Sequence, residues 1–319
     1  MKKSRIVVMG LCLAAVAVII FATYQLVNMG RQDVSYEVSV VVNNSSSDRW
    51  IAFKEGLEQG AEDYSIRLNV VTTSSFDNLE DQQAVIEREI VNGAEGVIVQ
   101  LCASSGTEGL LQELTASTAL VLVETDAEPT ETYAAALPDN AGMGEALVQA
   151  AAEDAGGSLS GKTIGILTGN QAQLAMQQRL EGFTQAAEAS GCQILWTLET
   201  GESDDGQLTE QLNEQPVDIL IALENDETEQ AVDELLAIQA NVLLYGVGCS
   251  EKNVYYLDKG IITGLIVPNE FNMGYQSVAL MAQYLQSRKT GQTEISHITV
   301  NKETMYDTEN QKVLFPIVQ

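Results

Sequence analysis

One α/β unit occurs twice in this chain, at a constant spacing. Val38 to Val71 reads as an apolar strand, a polar loop over Asn43 to Arg49, an amphipathic helix holding Glu55-Gly56-Leu57, and a second strand. Ile164 to Leu198 has the same order: strand, polar loop from Thr168 to Gln173, a helix holding Glu181-Gly182-Phe183, and a strand. An offset of 126 positions carries Gly56 onto Gly182 and Ala61 onto Ala187 without a gap. Two copies of one unit imply two similar lobes, and two lobes imply a cleft.

The rest of the chain extends both copies. Gly93 to Leu101 and Thr118 to Val123 in the first half, and Pro216 to Leu223 and Asn241 to Val247 in the second, are continuous apolar runs alternating with helical patterns. Such runs predict parallel strands buried on both faces by helices. The predicted class is α/β, with two doubly wound parallel-sheet lobes. Ligands bind such sheets beyond the carboxyl ends of the strands, so the loops there should line the crevice.

Charge narrows the partners. The net charge is −29, and four of the 16 basic residues (Lys2, Lys3, Arg5, Arg31) precede position 32, where none of the 45 acidic ones lies. A field of this sign repels phosphate backbones and anionic lipid surfaces, which excludes nucleic acid as a partner. Ile6 to Val27 is almost wholly apolar and follows a basic tip. It is long enough to span a bilayer, which takes about 20 apolar residues, and the basic flank should stay in the cytoplasm. No Ala-x-Ala site closes it, so the segment reads as a retained single-pass anchor rather than a cleaved signal peptide. The remainder would then be extracytoplasmic.

Little supports catalysis. The only histidine, His297, lies past the second lobe's strands, and no Cys-x-x-Cys or Cys/His cluster suggests a metal. No glycine-rich phosphate loop follows the first strand, since Asn43 to Asp48 contains no glycine. We therefore expect neither an enzyme nor a bound cofactor. Cys102, Cys192 and Cys249 are odd in number and cannot all pair internally. A binding cleft has more to stand on. Trp50 follows the first polar loop, where it could stack on a ligand or pack on its own lobe. Arg179, three residues before Gly182, could donate forked hydrogen bonds to hydroxyls or carboxylates, or form a surface ion pair.

Four segments together carry a family likeness: Arg49 to Gly56, Leu137-Pro138-Asp139-Asn140, Gln178 to Phe183, and Glu224-Asn225-Asp226-Glu227. In order and spacing they resemble the type I periplasmic binding proteins, the ribose- and galactose-type sugar receptors, whose fold is shared with the lactose-repressor core. The resemblance implies that Trp50 stacks on a sugar ring and that Asn140, Arg179 and Asn225 bind it. It also implies an acid after the third strand of the first lobe, Glu124 or, with a slipped register, Asp126. Arg49 replaces a second aromatic and could favour a ligand with a carboxylate or other acceptor. Gly248 and Pro268 stand where ribose-type receptors have Asp and Gln, which puts ribose itself in doubt.

The same likeness implies three crossings between the lobes, near Pro138, Pro268 and Ser296. The predicted organisation is an anchor over 1–31, a first lobe of 36–138 with 268–296, and a second of 139–267 with 297–319. The implied function is capture of a small polar ligand, a sugar or sugar-like molecule. The closed form would be read by a membrane permease of the ABC transporter type or by a sensor kinase. A scaffold that has lost ligand binding is the other outcome open at these positions. A repressor would need a DNA-binding helical domain where this chain has its apolar segment.

Overall fold

The computed structural model describes residues 35–127, 133–201 and 206–316. The anchor expected over 1–31 lies outside the described residues. Among those described, no helix is long and apolar enough to cross a membrane.

The first half runs β1 (Tyr36–Val41), a 3-10 turn (Asp48–Trp50), α1 (Ile51–Tyr64), β2 (Ile66–Val70), α2 (Leu79–Val91), β3 (Gly96–Val99), α3 (Glu108–Ser117), β4 (Ala119–Val123) and β5 (Ala134–Pro138). The second half runs α4 (Asn140–Asp154), β6 (Thr163–Thr168), α5 (Leu174–Ser190), β7 (Gln193–Glu199), α6 (Gln207–Glu214), β8 (Ile219–Ala222), α7 (Asn225–Ile238), β9 (Leu243–Val247), α8 (Glu251–Lys259) and β10 (Gly264–Pro268). Then follow α9 (Glu270–Ser287), β11 (Gln292–Ile295), β12 (His297–Asn301) and α10 (Thr308–Leu314).

The strands form two six-stranded sheets, ordered β11-β5-β4-β3-β1-β2 and β12-β10-β9-β8-β6-β7. Their central strands are apolar and wholly buried, as β3 (GVIV), β4 (ALVLV) and β8 (ILIA) illustrate, because helices cover both faces. In the first sheet β11, β5, β4, β3 and β1 run parallel, whereas the second departs from the all-parallel expectation at one edge. There β12 runs antiparallel to β10, with His297 opposite Pro268. A strand that enters from the neighbouring lobe one residue after β11 has no crossover helix to reverse its direction.

Three segments pass between the sheets side by side. β5 ends at Pro138 paired with Ile295, and β10 ends at Pro268 paired with His297. Asp139 and Asn269 then cap the next helices, accepting from the amides of Gly142 and Asn272 at 2.9 Å each. Each proline ends its strand and the Asx residue starts a helix, so each turn has a fixed shape.

The repeated glycines build the helix packing. A Cβ at Gly56 would lie 1.9 Å from the Phe271 carbonyl oxygen, and one at Gly274 2.1 Å from that of Phe53. In the second half, Gly182 and Gly144 meet the Ala141 and Arg179 carbonyls at 2.2 Å each. Thus α1 crosses α9 and α4 crosses α5, each backbone to backbone. Phe53 and Leu57 bury their side chains beside the first crossing, each worth roughly 2 kcal/mol by transfer.

Candidate functional site

The loops at the carboxyl ends of the two sheets bring their charges together. Arg49 leaves the 3-10 turn after β1 and lies between two carboxylates. Its Nη2 is 2.5 Å from Glu124 Oε1, after β4, and its Nη1 is 2.6 Å from Glu224 Oε1, after β8. One guanidinium therefore joins both sheets. It also lies 4.1 Å above the centre of the Trp50 ring, a cation–π contact in a water-poor setting. Trp50 is fully buried, edge-on to Phe53, and its indole N–H donates to the Asn43 carbonyl at 3.0 Å. The ring face expected to meet a ligand is thus covered by the neighbouring side chain.

Arg179, on the second turn of α5, is buried as well. Its Nε donates to Asn140 Oδ1 at 2.8 Å and its Nη1 to the Leu223 carbonyl at 3.1 Å, while Nη2 lies 3.5 Å from Glu124. Asn140 in turn donates to the Glu124 carbonyl at 3.3 Å. Glu124 has a φ of +64°, a left-handed conformation unusual for a residue with a side chain. Its carboxylate accepts from Gln100, whose own amide oxygen accepts from the Asn43 N–H. Of the six expected site residues, Arg49, Trp50, Glu124, Asn140 and Arg179 meet here.

Asn225 borders the same small space, but its amide is engaged within its own lobe. Its amide nitrogen donates to Asp226 and Glu229, and its oxygen accepts from the Ser250 N–H and Asn253. These bonds hold the start of α7 to the loop before α8, so its polar atoms are all engaged. Gly248 explains the missing Asp of the ribose-type pattern. Its φ is +116°, and a Cβ would lie 2.5 Å from Asn225 Oδ1.

Sequence reasoning passed over Glu224, Glu227, Glu270 and Gln100 as individual site residues. Glu270 follows Pro268-Asn269 as Asn140 follows Pro138-Asp139, a parallel visible in the sequence. Burial pushes Glu124 up, but Arg49 and Arg179 outweigh it and hold the carboxyl below its ordinary range. Glu270 is pushed up to about 8 by burial, against the pull of Arg49. Glu227 also reaches about 8, through burial and then the neighbouring Glu224. Glu224 is raised too, by burial against the pull of Arg49, so of these four carboxyls only Glu124, held by both guanidiniums, is drawn below its ordinary range.

The lobes are latched beside this cluster. The first two amides of α5, Leu174 and Ala175, donate to Ser104 Oγ at 2.8 Å and Thr125 Oγ1 at 3.1 Å, both on the first lobe. Gln173 precedes the helix without capping it through its side chain, so the opposite lobe supplies the cap. Gln173 and Asn170 reach the Leu101 and Cys102 carbonyls at 2.7 and 2.8 Å. A cavity of about 660 Å³ opens on one flank, with walls that include Asn43, Phe76, Gln100 and Glu227. Between the guanidiniums, Glu270 and Pro268 a space of about 10 Å³ remains.

Two facing α/β lobes with such a cleft point to a ligand-capturing protein, and one sequence comparison decides the family. Residues 38–289 match the family model described as a periplasmic binding protein domain. The chain belongs to the periplasmic binding protein family. Members of this extracytoplasmic family bind solutes and are not enzymes. No curated protein sequence is significantly similar to this one.

Solved structures of other binding proteins share the fold. A carbohydrate transporter solute-binding protein from Agrobacterium radiobacter, in complex with D-arabinose, superposes with a TM-score of 0.79 at 15% identity, over 88% of this chain and 99% of that one. A glucose-galactose binding protein from Geobacillus stearothermophilus gives 0.76 at 21% identity, over 85% and 99%. The Caulobacter myo-inositol binding protein, bound to myo-inositol, gives 0.76 at 17% identity, over 86% and 97%. Among the described residues of this binding protein, no cluster of His, Cys, Asp or Glu could hold a metal ion. Cys102, Cys192 and Cys249 are free thiols.

Proposed function

We propose that this chain captures a small polar ligand, a sugar or sugar-like molecule, in the cleft between lobes of 36–138 with 268–296 and 139–267 with 297–319. The closed form is presented to an ABC transporter, with residues 1–31 tethering the protein to the membrane. The observation that carries the reading is the convergence of Arg179, Asn140 and Glu124 where the carboxyl ends of both sheets meet. Polyols need such clustered donors and acceptors. The sugars and inositol named for the structural neighbours lend the class further support.

Closure works as a population shift. Only the closed arrangement offers a ligand both Glu124 of the first lobe and Arg179 of the second, so binding stabilises it by the difference. Arg49 and Trp50 form the floor of the first lobe's side, and Asn225 holds the second lobe's loop in shape. Readout by a membrane histidine kinase is the second reading, favoured by the tether implied by the apolar run from Ile6 to Val27.

A thermal-shift screen of residues 32 onward against sugars, nucleosides, polyols and amino acids tests the proposal. The expected result is stabilisation by one class of compound, lost in Arg179→Ala and Trp50→Ala. A screen without any stabiliser would leave a scaffold that no longer binds. A shift that survives both substitutions would put the site elsewhere.

A further inference from the structure

The cavity of about 660 Å³ has an acidic wall on the second lobe, formed by Glu224, Asp226, Glu227 and Glu229 around the start of α7. Acidity alone would mean little in so acidic a chain. Glu227 differs from a solvated surface acid in two respects. It is only 7% exposed, and its Oε2 has no hydrogen-bond partner among the described residues. Its other oxygen accepts a long bond of 3.4 Å from Thr200. Glu270, facing the same cluster from the first lobe, is likewise 7% exposed with an unpartnered Oε2. A buried carboxyl oxygen without a donor is costly, and is relieved by a proton, a donor or a cation.

The protein's own cations do not reach Glu227. Both terminal nitrogens of Arg49 are on Glu124 and Glu224. Arg179 is divided among Asn140, Leu223 and Glu124. Lys252, on the outer wall, lies 2.6 Å from Asp233 and 3.8 Å from Glu229. Arg49 itself demonstrates what these carboxylates hold well: a flat cation stacked on Trp50 between two acids. A neutral hydroxyl could donate one bond to Glu227 but would leave the charges of Glu224 and Asp226 beside it uncompensated. An ammonium group supplies both donor and charge.

We propose that the ligand of this cleft carries a protonated amine beside its hydroxyl groups, as an amino sugar does, and that Glu227 binds the amine. This deepens the reading of the cleft as a sugar-class receptor and rests on it. The local charge favours it: Glu224, Asp226 and Glu229 share the wall with Glu227, and the burial that lifts Glu227 towards neutrality would be offset by an incoming cation.

The test is calorimetry on the full chain in detergent at pH 6.5, with matched pairs: D-glucosamine and D-glucose, D-galactosamine and D-galactose, D-mannosamine and D-mannose. In at least one pair the amine should bind about tenfold tighter or more, the range of a charged hydrogen bond. N-acetylation of that sugar, which removes its charge, should abolish the preference, and this arm needs no variant. Glu227→Gln, checked for folding by circular dichroism, should bring the pair to within about twofold. Equal or tighter binding of the neutral partner, or a preference that survives N-acetylation, overturns the amine assignment and leaves the sugar-receptor reading in place. Failure of all six sugars to bind counts against both.

Discussion

Arg49 Nη1 and Glu224 Oε1 lie 2.6 Å apart, joining a loop of the first sheet to a loop of the second. The same guanidinium holds Glu124 at 2.5 Å, and its side chain is only 10% exposed. Arg49→Ala would strand the buried Glu124 and the half-buried Glu224 and remove the bridge. We expect a loss of about 3 kcal/mol in chemical denaturation, the scale for breaking a buried pair from one side. The radius of gyration by small-angle scattering should also rise as the lobes separate. An unchanged radius would mean that the bridge does not set the angle between the lobes.

Ser104 and Thr125 cap a helix that belongs to the other lobe. Ser104→Ala should therefore cost about 1 kcal/mol, like the loss of an ordinary N-cap. Unlike an ordinary cap, it should also speed hydrogen exchange at Leu174 and Ala175. If exchange there matches the parent, the latch is not what protects these amides.

Glycine-to-alanine changes should differ in sign according to the space around them. Gly56→Ala drives a methyl into the Phe271 carbonyl and should lower stability by about 2 kcal/mol. Gly109→Ala in α3 meets nothing within 4 Å and should raise it by about 0.5 kcal/mol through the unfolded chain. Gly248→Asp, which restores the ribose-type residue, should destabilise by about 2 kcal/mol because of its φ of +116° and the nearby Asn225. Thermal melts of the three variants rank these effects directly.

Burial pushes the Glu227 and Glu270 carboxyls up to about 8 in the folded state, from the ordinary glutamate value of 4.5. Between these values the folded state binds more protons, so stability is fully present below about pH 4.5 and declines as pH rises towards 8. Glu124 acts in the opposite direction. Its lowered folded value gives a contribution that is present above the ordinary range and lost in stronger acid. Urea midpoints should thus peak near pH 5 and fall towards pH 8. Glu227→Gln should flatten that slope, and a slope unaltered by the substitution would assign it to other groups.

Cys249 borders the charged cluster, and burial, followed by the nearby Glu270, pushes its thiol up to about 12. Labelling by a thiol-reactive disulfide at pH 8 should be slow in the parent protein. It should be faster in Arg49→Ala, with Cys249→Ser identifying the signal. Equal rates would show that opening the bridge does not expose this side chain.

The architecture was largely legible because it rests on patterns that burial imposes locally. Continuous Val, Ile and Leu runs became central strands, and the glycines at a fixed offset became the two helix crossings. Charge was harder to interpret. With 45 acidic residues in the chain, nothing in the local sequence distinguishes Glu227 or Glu270 from a solvated surface acid. Their character comes from elements distant in the chain that remove water from them. Arg49 illustrates the same limit from the other side. A guanidinium at the cleft suggested a donor for the ligand, yet its geometry is set by Glu224, 175 positions away. Asn225 lay in a recognisable motif, but only the approach of Ser250 and Asn253 determines which way its amide turns.

The crossing of α1 with α9, and the pairing of β5 with β11, have a consequence for synthesis. A chain emerging N-terminus first makes β1 to β5 early, but the helix that covers α1 ends at Ser287 and the strand that closes the sheet's edge ends at Ile295. Until both have been translated, a wide apolar helix face and an unpaired strand edge stay open. The second lobe's α4 and α5 are neighbours in the chain and can join at once. The first lobe's helix crossing therefore forms late and the second lobe's early, whereas each sheet closes its edge only when its last strand, β11 or β12, has been made.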